Sequence, residues 1–119
     1  MKRVGMPLQA KLFRGLGDLS RLRVLDALRD GPLSAGRIVT LTGLSQPNAS
    51  MHLACLAECG LVTWERHGKF VHYEIADKRV VKLLDQAEDL SLQVAPLIEA
   101  CPRYRGPTRA GQRARTKRR

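Results

Sequence analysis

Residues 33–75 read LSAGRIVTLTGLSQPNASMHLACLAECGLVTWERHGKFVHYEI. Their hydrophobic pattern changes period once, and that change decides the fold. The first part carries helical spacing. Ile38, Val39 and Leu41 form an apolar stripe behind Ser34, whose hydroxyl suits a helix start. Gly43 stops that helix. Ser45 supplies the next cap, and Gly60 terminates the run that follows. Pro47 falls in the first turn of this second helix, where a missing N–H costs little. Beyond Gly60 the period shortens. Leu61–Glu65 and Phe70–Ile75 are rich in β-branched and aromatic residues and predict two strands. Between them lies RHGK, with Gly68 free to take a positive φ, so the strands form a hairpin.

Reading outward, LQAKLFRGL (8–16) predicts a short helix entered after Pro7. DLSRLRVLDALRDGP (18–32) predicts another, with Leu22, Leu25 and Leu28 on one stripe, widened by Val24 and Ala27 and stopped by Gly31-Pro32. On the C-terminal side Asp77 caps KRVVKLLDQAEDLSLQVAPLIEA (78–100), which Pro96 should kink or end. The apolar residues of this helix cover more than one stripe. It therefore needs two covers, one of them a second subunit. The order is four helices, a hairpin and a helix. Two short helices joined by the tight turn TGLS, then a basic hairpin, predict a mainly α, homodimeric winged helix-turn-helix. The Ser34 helix supports, the Ser45 helix reads, and the hairpin is the wing.

The charge is uneven. The chain of 119 residues has a net charge of +10. Residues 102–119 hold eight Lys or Arg and no acid, leaving 13 basic and 11 acidic residues in 1–101. This predicts one domain over 1–101 for DNA binding and dimerisation, and a basic, disordered tail over 102–119. Such a tail suits polyanions; with the winged helix-turn-helix this makes double-stranded DNA the expected partner, a solubilising tail without a specific partner being the alternative. No apolar run reaches the ~20 residues that cross a bilayer. The N-terminus lacks a signal-peptide core, so the expectation is a cytoplasmic protein with no membrane partner. No phosphate loop or nucleophile–base pairing occurs, which argues against an enzyme.

Gln46 and Asn48 stand in the first turn of the reader. Their amides suit a bidentate contact to adenine, and both could also cap the helix. Ser50 could meet a base or a phosphate. Arg66 and Lys69 on the wing suit phosphate or the minor groove.

LGDLSRLRVLDAL (16–28), SQPNASMHLACLAECGLV (45–62) and RHGKFVHY (66–73) together make the chain resemble the ArsR/SmtB metal-sensing repressors over about residues 12–77. The resemblance implies a homodimer that leaves its operator when metal binds, with the long helix as the dimerisation helix and a metal exporter as the regulated gene. Some members carry a cysteine pair on the supporting helix; here that stretch is SAGRIVTL, without a thiol. Others use His and acidic ligands on the last helix; here it has Asp85, Glu88 and Asp89 but no histidine. Cys55-x-x-x-Cys59 plus Cys101 instead resembles the mycobacterial cadmium/lead sensor subgroup. Family members keep a histidine at the position of His52 whatever their metal site. This favours a structural or phosphate-contact role for it, with ligation as the alternative.

With Gln46 at zero and roughly 100° per residue, Ala49, Leu53 and Leu56 fall near 300°, 340° and 280°, while Cys55 and Cys59 fall near 180° and 220°. The thiols share one side, on the flank of the core stripe. One turn apart, they could grip one ion. Two sulfurs leave a soft ion underfilled, and Cys101 offers a third. Three thiolates suit Cd(II) or Pb(II), with As(III) possible. Zn(II) fits less well, because structural zinc wants four protein ligands. A thiol-based redox switch is the other functional reading, although an i,i+4 helical pair is poorly aimed for a disulfide.

Overall fold

The computed structural model describes residues 5–104. The expected tail disorder therefore falls mostly on 105–119, outside the described residues. The described residues fall into two compact units, 5–81 and 82–104.

The first unit runs α1 (Met6–Leu16), α2 (Leu19–Ala27), β1 (Leu33–Ser34), α3 (Ala35–Thr42), α4 (Gln46–Glu58), β2 (Val62–His67) and β3 (Phe70–Ile75), and ends in the first residues of α5 (Lys78–Ala100). The helix starts are held by side chains. Asp18 accepts the Arg21 N–H at 3.0 Å, Ser34 that of Arg37 at 3.3 Å, and Ser45 that of Asn48 at 3.2 Å. Each satisfies a donor with no partner inside the helix. Gly43, at φ 76°, ends α3 in the left-handed conformation and donates its N–H to Val39 O. That turn lets α4 start three residues later, at Gln46. Val24, Leu25, Leu28, Ile38, Leu53 and Val62 pack into the centre, and the buried set among the described residues is wholly apolar. Fully burying one such side chain contributes about 1.5–3 kcal/mol.

Several boundaries differ from the sequence expectation. The helix expected to run to Gly31 closes at Leu28, because Leu28 is a core residue that packs from the turn. The hairpin is longer than expected. β2 continues to His67, which pairs with Phe70, so only Gly68 and Lys69 form the turn, with Gly68 at φ 63°. A third strand also appears. β1 pairs antiparallel with β3, Leu33 opposite Tyr73 and Ser34 opposite His72, giving the sheet order β1-β3-β2. This strand ties the wing's base to the start of α3.

Asp77 caps α5 as expected, accepting the Arg79 N–H at 2.8 Å and its guanidinium at 2.7 Å. These bonds hold the Asp77 carboxyl at about 2. Within α5 only Val80 is buried. Pro96 lies inside the helix and does not end it. In the second unit the helix closes with Cys101 donating its N–H to Ile98 O at 3.1 Å, followed by a 3-10 turn at Pro102–Tyr104. No helix among the described residues is long and apolar enough to cross a membrane.

Candidate functional site

The site is built on α4. Its inner side is set by Ala49, Leu53 and Leu56, each 1–2% exposed. Those three anchors fix which residues look out. Gln46, Asn48 and Ser50 are all exposed, as a base-reading role requires, and His52 is half-buried. Ser45 caps the end from which Gln46 and Asn48 project, so the reading turn is held by a hydrogen bond rather than left frayed.

The two thiols lie where the helical spacing put them. Cys55 is half-buried and Cys59 exposed, and both are free. The Cys59 N–H donates to Cys55 O at 3.0 Å, so regular helix geometry persists through the pair. Gly60, at φ 79°, then turns the chain into β2. Cys59 also lines an apolar groove of about 440 Å³, whose other wall is α1 through Leu8, Lys11, Leu12 and Gly15. Cys59 thus presents a soft thiol on an open, mainly apolar groove that Lys11 also lines, a donor type that favours soft ions over hard ones.

Two sulfurs one turn apart could reach one soft ion but would not complete its shell. Among the described residues, neither unit gathers three or more His, Cys, Asp or Glu into a metal-holding cluster. Cys101, half-buried, belongs to the second unit.

The wing carries Arg66 and Lys69, both exposed, on either side of Gly68. Beside them stand His67 and His72, which the sequence places in the hairpin as wing or strand residues without showing that they meet. His67 Nε2 lies 3.5 Å from Glu65 Oε1, and the His67 and His72 rings meet edge to face at 4.9 Å. The register explains it. Residues 65, 67, 70 and 72 fall on one face of the hairpin, a consequence of pairing that single-residue reading does not show. A second missed feature is Arg21, which donates from Nη1 to Gly15 O at 2.9 Å and braces the corner between α1 and α2. A third is Met51, more than half exposed on the outer side of α4.

A supporting helix, a capped reader and a three-stranded sheet whose hairpin turn is flanked by Arg66 and Lys69 define a winged helix-turn-helix DNA-binding protein. The profile of the bacterial regulatory protein, arsR family, matches residues 18–63, which spans α2 to the start of β2. A probable mercury resistance operon repressor of Streptomyces lividans is 37% identical over 97 residues, covering 82% of this chain and 78% of that one. The HTH-type transcriptional regulator CmtR of Mycobacterium tuberculosis is 39% identical over 85 residues, covering 71% and 72%. Among solved structures, the homodimeric winged helix-turn-helix domain of a possible ArsR-family regulator from Mycobacterium bovis superposes with a TM-score of 0.64. It is 30% identical and covers 76% of this chain and 85% of that one. The chain belongs to the ArsR family. It is a transcriptional repressor of that family and not an enzyme.

Proposed function

We propose that this chain is a cytoplasmic, homodimeric repressor that releases operator DNA when a soft metal ion, Cd(II) or Pb(II), binds thiolates of Cys55, Cys59 and Cys101. One observation carries the reading: the thiol pair stands on the helix that reads DNA, one side removed from its core anchors. An ion gripping that pair acts on the reader directly. Gln46, Asn48 and Ser50 would meet bases, while Arg66, Lys69 and His52 would meet the backbone. Coupling between two such ligands is typically about 1–3 kcal/mol, or roughly 5- to 150-fold in DNA affinity. The domain would span 1–101, with 102–119 as an arm that strengthens DNA binding without specifying sequence.

The relative named as a mercury resistance repressor brings Hg(II), another thiolate-seeking ion, into the test set. The exposure of Cys59 favours a second reading, a repressor answering to thiol oxidation. The test is a titration of the reduced protein, bound to fluorescent promoter DNA, with Cd(II), Pb(II), Hg(II), Zn(II) and As(III), and separately with peroxide. Release by Cd(II) or Pb(II) that is lost in Cys55→Ser supports the proposal. Release by peroxide alone supports the redox reading. If no ion weakens DNA binding, metal sensing is wrong.

A further inference from the structure

The outer side of α4 is not wholly polar. Met51 is 56% exposed in the middle of the reader, flanked along the same strip by exposed Pro47 and Ala54. Residues 47, 51 and 54 are spaced i, i+4, i+7, so they line one side of the helix. The buried anchors Ala49, Leu53 and Leu56 hold that strip away from the core. Gln46 and Ser50 run alongside it, so the apolar strip lies next to the polar groups that would meet bases.

We propose that Met51 reads a thymine in each half-site through the thymine C5 methyl group, with Pro47 and Ala54 extending the contact. The argument rests on the operator-binding reading above. In the major groove the thymine methyl is the apolar feature that separates one base pair from another. A methionine side chain is unbranched and polarisable, so it can settle on a methyl without exact shape matching. Met51 also precedes Cys55 by one turn, so an ion held at Cys55 would act beside this contact and displace it early in release.

The probe is uracil, which pairs as thymine does but lacks the methyl. The full-length reduced protein first selects its site from random double-stranded DNA. Each thymine of that site is then replaced by uracil, and affinity is measured by fluorescence anisotropy for wild type, Met51→Ala and Met51→Leu. Circular dichroism melts confirm that both variants fold. One methyl contact is worth about fourfold in affinity. The expected result is a symmetric pair of positions where uracil weakens wild type about fourfold each. Met51→Ala binds the thymine site more weakly and is indifferent to uracil there, while Met51→Leu keeps the sensitivity. If a site is selected but no uracil position weakens wild type, or Met51→Ala stays as sensitive as wild type, the methyl-reading role is wrong. If the random library yields no enriched sequence, operator reading itself fails and this inference falls with it.

Discussion

Replacing the two reader cysteines one at a time separates packing from sensing, because the structure gives them different burial. Cys59 is exposed at the end of α4, so Cys59→Ser should change stability by less than about 0.5 kcal/mol. Cys55 is half-buried against the flank of the core, so Cys55→Ser should cost about 1 kcal/mol. For a domain of this size 1 kcal/mol lowers Tm by about 4–8 °C, which a circular dichroism melt resolves. Sensing should not follow that order. If both sulfurs hold one ion, either serine leaves it underfilled, and the coupling of about 1–3 kcal/mol should be lost in both variants. In the absence of metal, both should bind promoter DNA within about threefold of wild type, since neither thiol lies among the base-reading residues. With saturating Cd(II), wild type should weaken by roughly 5- to 150-fold and each variant by less than about twofold. Anisotropy titrations with and without Cd(II) check this. A Cys59→Ser protein with unchanged stability and an intact cadmium response would refute the shared-ion reasoning, because Cys55 alone would then be carrying the signal.

Leu53→Ala removes a side chain that is 1% exposed and should cost about 3 kcal/mol, read from urea unfolding. Arg66→Ala and Lys69→Ala should each weaken DNA binding uniformly across sequences and lower the slope of log affinity against log salt by about 1. The Asp77 carboxyl titrates at about 2 when folded, against an ordinary 3.8, because Arg79 donates to it. Its contribution to stability is therefore complete above about pH 4 and is lost as the pH falls through about 2. Asp77→Asn should remove that part of the acid limb of stability, measured by urea unfolding between pH 2 and 5. Leu8→Glu with Leu12→Glu should convert the proposed dimer to monomer in sedimentation runs while leaving the monomer helical, since both leucines are exposed on α1.

The parts of the fold held by local chemistry were legible. Ser34 and Ser45 cap, Gly43 and Gly60 turn, and the helical stripe of α4 picked out Ala49, Leu53 and Leu56 as the buried side. What escaped depended on partners distant in sequence. Leu33–Ser34 is too short to show a strand period, and it is a strand only because Tyr73 and His72 pair with it. The ends of the hairpin were misjudged for a related reason. Arg66 and His67 look like turn residues, yet pairing with Val71 and Phe70 holds them extended. Pro96 was expected to kink or end α5; it does not end it, and the helix runs four residues further without the hydrogen bond that an N–H at 96 would supply. In the candidate site the side of the helix carrying the thiols was predictable, while Met51 drew no notice. Its exposure follows from the same wheel, on which it falls near roughly 140°, away from the anchors; an apolar residue on a polar side carries no sequence signal of its own.

The same logic bears on the second subunit. Scattered exposed leucines are ordinary on a protein surface, because apolar atoms make up most of it. α1 is different. Met6, Leu8, Leu12 and Phe13 are all more than 40% exposed on a helix of 11 residues whose single buried residue is Leu16. α5 repeats the pattern at greater length, with Leu90, Leu92, Leu97 and Ile98 all at least 40% exposed and Val80 alone buried among 23 residues. Helices of this kind are not held by propensity alone; they persist when an apolar face is covered. Two helices in one small chain with their apolar faces open argue for a cover of the same composition, which a second copy supplies by symmetry. The groove between α1 and Cys59 is lined by Leu8 and Leu12 of that open helix. It joins a helix whose apolar face is open to a thiol that the proposed ion would bind. Dimer formation and the proposed ion binding would accordingly share one wall, and the reader helix would be the element on which both act.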